Sequence, residues 1–193
     1  MWGSHAGACL DDMDAIQMIW ILRRMRDEGH YLDGRELKFP PKFFLGAAAS
    51  PFASDPKFQA LREEKKVNAG AQFFQTNLVY DPDRMEIWLK EIAKRNILDK
   101  VFIMIGITPL KSAKMTHFMT QVPGVYIPGQ IIKRMDDADA KGGPQGAQEE
   151  GVRIALEIIE QLETSSGYRA RRKEIAAFNA KNSVLRKGLS LTP

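Results

Sequence analysis

The sequence is poor in cysteine, because Cys9 is the only one among its 193 residues. A single cysteine cannot form a disulfide within the chain, which excludes the disulfide-rich folds of small secreted proteins and favours a reducing cytoplasm. No apolar run approaches the roughly 20 residues that a helix needs to span a bilayer. The amino terminus also lacks the positive segment and apolar stretch of a signal peptide. We therefore expect a cytoplasmic protein with no membrane partner.

Several motifs that bind nucleotides or metals are also missing. The chain has no GxGxxG or GxxxxGK phosphate loop and no GxSxG nucleophile elbow. Its three histidines, His5, His30 and His117, stand far apart and lack the spacing of metal ligands. Adjacent acidic residues occur at predicted helix ends and surfaces, where carboxylates are ordinarily solvated. These absences predict no metal site, and motifs alone identify no catalytic residue.

The net positive charge of the chain is concentrated at the carboxyl terminus. The net charge is +4. Residues 168–193 carry seven basic residues against one acid, Glu174, so this tail contributes +6 and residues 1–167 sum to −2. A nucleic-acid interface needs basic and aromatic residues interleaved on a folded face. The body has no such pattern, so we expect no nucleic-acid partner and assign no role to the basic tail 168–193.

A strand–helix–strand pattern at 42–81 organises the rest of the chain. Two short apolar runs, FFL at 43–45 and FFQT at 73–76, flank a helical pattern that begins after Asp55 and ends at Gly70. This spacing is typical of two parallel strands joined by a crossover helix. We predict strands at 42–46 and 72–79.

The carboxyl ends of these strands have an unusual composition. The first strand continues into the small residues GAAASP at 46–51, and the second carries Thr76 and Asn77 near its end. Ligands of parallel sheets bind at the carboxyl ends of the strands, and small side chains let a bulky ligand lie against the backbone. The sequence therefore predicts a ligand site at 47–51, Thr76, Asn77 and Thr108.

The remaining elements continue the alternation of helices and strands. Further helices are predicted at 11–28, with Asp11 or Asp12 as cap, and at 81–95, 111–119, 129–137 and 149–162, with a flexible linker at 139–146. The third strand, 101–107, reads VFIMIGI, which predicts a strand covered on both faces. The alternation predicts an α/β fold with a parallel sheet. Three strands cannot close an eight-stranded barrel, which takes about 250 residues, so the sheet is either open or part of a barrel.

Five segments, read together, resemble the methylenetetrahydrofolate reductase family. KVNAGAQFFQTNLVYD at 66–81 is similar to a family segment in which a KVDAGA turn leads into a strand that ends in Thr-Gln and then Asp. GAAASP at 46–51 resembles the segment before it, and IGITP at 105–109 resembles the PGI-x-P strand. VYIP at 125–128 is similar to V-x-IP, and 151–163 resembles the last long helix. The resemblance covers about 11–167.

The resemblance implies a flavoenzyme of one-carbon and methionine metabolism. The family is a (β/α)8 TIM barrel that holds FAD across the carboxyl ends of its strands. It passes a hydride from NAD(P)H through the flavin to 5,10-methylenetetrahydrofolate, which becomes 5-methyltetrahydrofolate. This chain resembles about the second half, so the expected fold is a partial (β/α)8 barrel at 1–167 with parallel strands alternating with helices.

The resemblance also implies site residues for the cofactor. Ala48 and Ser50 fall along the flavin. Arg62 and Lys66 fall on helix positions that face the cofactor, where a lysine can bind phosphate or ribityl oxygens.

For the folate substrate, the resemblance implies contacts from Thr76, Asn77 and Met115. Asn77 stands where the family has a glutamine that binds folate and nicotinamide, and it is one methylene shorter. Met115 replaces a second family glutamine and cannot donate a hydrogen bond.

The departures from the family pattern concern catalysis. The family's first strands have no counterpart here, and with them the catalytic glutamate and its histidine lie outside this chain. The tail 168–193 resembles nothing in the family's last strand. We therefore expect a truncated homologue that does not catalyse the reaction alone.

Two alternatives remain open. The chain is a non-catalytic subunit or half-barrel, paired with a second copy or with another chain that supplies the missing strands. Otherwise it is a different barrel enzyme that shares only the scaffold, because a fold does not fix a function.

Overall fold

A computed structural model describes residues 13–164 of the chain. The predictions for Cys9 and for the tail 168–193 lie outside these residues. The elements are α1 (Ala15–Asp27), β1 (Gly46–Ala49), α2 (Pro56–Ala69), β2 (Phe73–Leu78), α3 (Pro82–Ala93), β3 (Phe102–Gly106), α4 (Ala113–Met119) and α5 (Gly129–Thr164). None of the helices between residues 13 and 164 has both the length and the apolar character to cross a membrane.

The three strands form one parallel sheet in the order β1-β2-β3. Gly46 pairs with Phe73 and Phe73 with Phe102, so these three residues form one row across the sheet. Helices α2 and α3 connect consecutive strands. The prediction of an α/β fold with parallel strands alternating with helices is confirmed, and this arrangement is consistent with part of a (β/α)8 barrel.

Local sequence signals fix the helix ends. The Asp55 carboxylate accepts hydrogen bonds from the amides of Lys57 and Phe58 at the start of α2, and Gly70, with φ of 126°, ends that helix. Asp81 likewise caps α3, and Pro82 occupies its first turn. In α1 the cap is Asp14, whose carboxylate accepts a hydrogen bond from the Gln17 amide, so the predicted cap at Asp11 or Asp12 is wrong.

The first strand differs from its prediction. The structure places β1 at Gly46–Ala49, in the small residues that follow the predicted strand 42–46. Leu45 only approaches the sheet, where its carbonyl accepts a hydrogen bond from the Gln72 amide at 2.7 Å. The reason is register, because Gly46 is the first residue to pair with Phe73. Pairing with β2 therefore prevails over the high strand propensity of the phenylalanines before it.

The two faces of the sheet have different surroundings. We call covered face the side that packs against the helices and open face the opposite side. The covered face carries Ala47, Ala49, Phe74, Thr76, Ile103 and Ile105. The open face carries Gly46, Ala48, Phe73, Gln75, Phe102 and Met104. The core between the covered face and the helices includes fully buried Phe74, Met85 and Trp88.

The prediction that the third strand is covered on both faces is wrong for the described residues. Phe102 and Met104 of β3 are 46% and 54% exposed. Ile103 and Ile105, which alternate with them, pack against the core. A run in which every residue is apolar does not show whether one or both faces of a strand are buried, because the side chains on both faces are apolar in either case.

The predicted linker at 139–146 is also wrong. Helix α5 runs through this region and is interrupted only at Gly143, whose φ and ψ are 58° and −155°. Arg134 binds Glu150 and Glu157, which in one straight helix would lie roughly 24 Å and 35 Å away. The two halves of α5 therefore lie side by side, joined by a glycine turn.

Candidate functional site

A shallow depression of about 410 Å³ lies at the open face of the sheet. Its walls are Gly46, Ala47, Ala48, Phe73, Gln75, Thr76 and Asn77. The structure thus brings together three of the predicted site residues, Ala48, Thr76 and Asn77. The floor is flat because no side chain larger than a methyl group rises from β1.

Asn77 is held by two loops at the carboxyl end of the sheet. Its Nδ2 lies 3.5 Å from the Ser50 Oγ. Gly124 approaches the same nitrogen: its φ is 79°, and a Cβ added to it would lie 2.6 Å from Nδ2. A side chain at position 124 would therefore push the amide of Asn77 out of place. Ser50, a predicted cofactor residue, belongs to the surroundings of Asn77.

Thr76 uses its hydroxyl within the protein. Its Oγ1 donates to the Asn77 carbonyl at 2.8 Å and accepts from the Gly106 amide at 3.0 Å. These bonds span the irregular pairing between Gln75 and Leu78 in β2. Thr76 thereby fixes the backbone that presents Asn77.

Lys66 lies on the covered side, between α2 and the sheet. Its Nζ donates to the Ala48 carbonyl at 2.7 Å and to Glu63 Oε2 at 3.0 Å, and it lies 5.9 Å from the Phe74 ring centroid. Glu63 is fully buried, and its Oε1 has no hydrogen-bond partner. Burial raises the pKa of Glu63, while Lys66 and the Ser50 amide act in the opposite direction. Lys66 thus touches a wall residue of the depression from behind.

The other predicted positions lie apart from the depression. Arg62 is exposed on α2. Met115 packs against the core from α4. The Thr108 carbonyl accepts a hydrogen bond from the Tyr80 hydroxyl at 3.0 Å, and burial raises the pKa of Tyr80 to about 12.

Sequence reasoning missed an aromatic cluster around Arg84, in the first turn of α3. The Arg84 guanidinium lies 4.2 Å from the ring centroid of Tyr126 and 5.8 Å from that of Phe52. Tyr126 pairs with Val79, which extends the sheet by one bridge beyond β2. On sequence Arg84 is an ordinary surface residue of the first turn of α3. Only tertiary contacts bring the two rings to it, and the single available signal was VYIP at 125–128.

Comparison with known proteins gives a family and a structural neighbour. The model of the family described as methylenetetrahydrofolate reductase matches residues 9–185 of the chain. The match continues beyond residue 167, so residues 168–185 of the predicted tail fall inside it. The division into 1–167 and 168–193 stays a prediction.

One solved structure similar to this chain is described as an uncharacterized protein from Clostridium thermocellum that binds two copies of 5-methyl-5,6,7,8-tetrahydrofolic acid. The two chains share 19% sequence identity with a TM-score of 0.47. The alignment covers 75% of this chain and 58% of the other, so this chain spans little more than half of that structure's length.

Proposed function

The chain belongs to the methylenetetrahydrofolate reductase family, and from that premise we propose that its depression binds a reduced folate. The reaction we assign to this lineage is the NAD(P)H-dependent reduction of 5,10-methylenetetrahydrofolate to 5-methyltetrahydrofolate. The observation that carries the proposal is that Ala48 and Asn77 line the same depression. A flat floor and a fixed amide at its end suit a flat heteroaromatic ring.

The chemistry of the walls supports a pterin ring. A side-chain amide offers two N–H donors and one acceptor oxygen, which matches the mixed donors and acceptors along the edge of a pterin. Asn77 and Gln75 both supply such amides. Phe73 adds an aromatic side chain at the other end of the depression. We propose that the pterin ring lies with its polar edge toward Asn77.

FAD is the cofactor that we propose for this lineage, and the residues along β1 fit a flavin in part. The methyl side chain of Ala48 leaves the backbone of β1 open to a flat ring. Lys66 already binds Glu63 and the Ala48 carbonyl, so it would hold a phosphate or ribityl oxygen only after leaving Glu63. We propose that Ala48 and Ser50 lie along the flavin with Lys66 as the cation behind β1, whereas Arg62 is exposed on α2 and apart from the depression. When bound, FAD supplies the carrier for hydride between NAD(P)H and the folate.

The proposal distinguishes binding of the folate from catalysis of its reduction. The walls of the depression offer amides, a hydroxyl and backbone groups, which form hydrogen bonds but do not exchange protons near neutral pH. We therefore propose that this chain alone binds a reduced folate without reducing it. NADH oxidation by the purified, flavin-loaded chain would contradict this.

The test is the affinity of the wild type and Asn77→Ala for 5-methyltetrahydrofolate, measured by isothermal titration calorimetry. Loss of a hydrogen bond worth about 1–1.5 kcal/mol weakens binding roughly tenfold. The matched control is Asn68→Ala, because Asn68 is exposed on α2 and its backbone carbonyl bond to Arg23 does not involve the side chain. A wild type without affinity for reduced folate, or an Asn77→Ala variant that binds equally well, would refute the proposal.

The open face favours a second candidate role, that of a half-barrel completed by another chain. Phe44 stacks on Phe73 with ring centroids 5.4 Å apart and also contacts Phe102, yet Phe44 remains 59% exposed. Apolar side chains at the inner face of a barrel are ordinarily buried by the remaining strands. We propose pairing with a chain of the same family or a second copy. Light scattering on the chain at tens of micromolar tests whether two copies pair. A mass twice that of the chain supports pairing, and a monomer counts against it.

A further inference from the structure

The guanidinium of Arg84 is held by two aromatic rings from different segments. The ring of Tyr126 lies at 4.2 Å and that of Phe52 at 5.8 Å, measured from the guanidinium carbon to the ring centroids. Guanidinium groups held by aromatic faces keep N–H donors at their edge, and these donors match the two oxygens of a carboxylate or phosphate. The two rings fix the position of the cation without using its donors.

These donors are not used elsewhere in the part of the chain that the structure describes. Between residues 13 and 164, no acid or carbonyl accepts a hydrogen bond from the Arg84 side chain. Every other arginine in that range except Arg62 donates to an acid or a carbonyl. These others are Arg23, Arg24, Arg26, Arg35, Arg95, Arg134 and Arg153. Arg84 differs from Arg62 because the two rings hold it in place.

The nearby acids are directed to other groups. Asp81 Oδ1 accepts from the backbone amide of Arg84 at 3.0 Å and so caps α3. Asp83 Oδ1 accepts from Gln161 Nε2 at 3.1 Å. The edge of the guanidinium therefore remains available to a ligand.

Two short stretches connect Arg84 with the depression. In each stretch one residue contacts the amide of Asn77: Ser50 in the first and Gly124 in the second. Two residues later an aromatic ring contacts Arg84: Phe52 in the first stretch and Tyr126 in the second. Two residues of extended chain span at most about 7 Å, which puts the guanidinium within roughly 20 Å of the Asn77 amide. An extended ligand with its ring in the depression can therefore reach it with its far end.

We propose that Arg84 binds the anionic end of the ligand whose ring occupies the depression. The shared chemistry is a pair of oxygens with negative charge, from the glutamate carboxylates of a folate or the phosphate of a flavin nucleotide. This inference rests on the proposed function, because it assigns a second contact to the same ligand.

The experiment compares ligands with and without the anion. We measure the affinity of the wild type and Arg84→Gln for 5-methyltetrahydrofolate and for 6-methyltetrahydropterin, which lacks the acidic tail, and for FMN and riboflavin. We expect Arg84→Gln to bind the charged member of one pair about tenfold more weakly and the uncharged member unchanged. The matched control is Arg35→Gln, since Arg35 also lies over a tyrosine but its guanidinium is bound by Asp33. Circular dichroism and unfolding midpoints verify that each variant is folded.

Each outcome distinguishes the anion contact of Arg84 from the proposal that the depression binds a folate. If Arg84→Gln loses both members of a pair equally, or neither, Arg84 only packs the loops and the inference is wrong while folate binding stands. If the wild type binds no pterin but prefers FMN to riboflavin through Arg84, the folate proposal fails and the anion contact stands with phosphate as its source. If the wild type binds none of the four, both are refuted.

Discussion

Phe73 and Phe74 are neighbours in the sequence with opposite surroundings. Phe74 points to the covered face and is fully buried. Phe73 points to the open face, where its ring fills the space above Gly46 and stacks on Phe44. Packing on one face holds the sheet together, whereas the other face, with its small residues and amides, provides the depression. The comparison teaches that the buried core and the proposed binding surface lie on opposite sides of the same strand.

The largest effect should come from Phe74→Ala, which removes a buried ring from the core. Such substitutions lower the free energy of unfolding by about 3–5 kcal/mol. The matched variant Phe73→Ala loses mainly a stacked contact, about 1 kcal/mol. Urea unfolding followed by circular dichroism measures both. Equal losses would show that the two faces are packed alike.

The next effect concerns Glu63, an ionisable group on the covered side, and it appears in the pH dependence of stability. Burial raises the pKa of Glu63 above its ordinary value of 4.5, so the folded state prefers the protonated carboxyl. Between 4.5 and the raised pKa folding takes up a proton, and the free energy of unfolding falls as pH rises. We expect Glu63→Gln to remove this part of the slope.

The quantity to compare is the slope of the unfolding free energy against pH. The absolute stability is not suitable, because Glu63→Gln also breaks the ion pair with Lys66 and so changes stability for a second reason. Urea unfolding at several pH values above 4.5 provides the slope. Glu64→Gln, one residue further along α2 and partly exposed, is the matched control. If both variants keep the slope of the wild type, another group causes it.

A smaller effect is expected from Gly124→Ala, beside Asn77. An alanine in the left-handed conformation costs about 1–2 kcal/mol, and its Cβ would collide with the Asn77 amide. Gly34→Ala has the same backbone strain, with φ of 86°, but nothing within 4 Å of the added Cβ. We expect similar losses of stability in both, with weaker binding of 5-methyltetrahydrofolate only in Gly124→Ala. If calorimetric titration finds equal affinities for the two variants, Gly124 does not influence the site.

The smallest effect should come from Met104→Gln on the open face. Met104 is 54% exposed, and substitutions of exposed residues change the free energy of unfolding by about 0.5 kcal/mol or less. Ile103→Gln, one position earlier on the covered face, should lose more because Ile103 packs against the core. A large loss in Met104→Gln, dependent on protein concentration, would indicate that a second copy covers the open face.

Much of the fold was predictable because its signals are local. Asp55, Pro56 and Gly70 mark the two ends of α2, and the structure agrees with them. The second and third strands lie within one residue of their predicted ends. Caps and turn residues act through their own backbone neighbours, so the sequence alone carries this information.

The errors concern properties that depend on distant residues. The start of β1 depends on the register with β2, and the exposure of β3 depends on what lies beside the sheet. The turn at Gly143 looked like a linker, because glycine and proline also terminate helices that then continue in a new direction.

The candidate site was predictable in its location but not in its full composition. The rule that ligands bind at the carboxyl ends of parallel strands predicted that Ala48, Thr76 and Asn77 lie close together, and the structure places them around one depression. Arg84 and Gly124 reach the same end of the sheet through contacts between segments more than 20 residues apart, which no local pattern reveals.

The missing side chain at Gly124 has a consequence for selectivity. The amide of Asn77 occupies that space, with its Nδ2 3.5 Å from the Ser50 Oγ, and these two contacts restrict its rotation. A polar group that already stands in its binding orientation loses little conformational entropy when it forms its hydrogen bonds. A ring whose donors and acceptors fit that fixed orientation gains the full bond, and one with the reverse pattern finds no second rotamer to accept it.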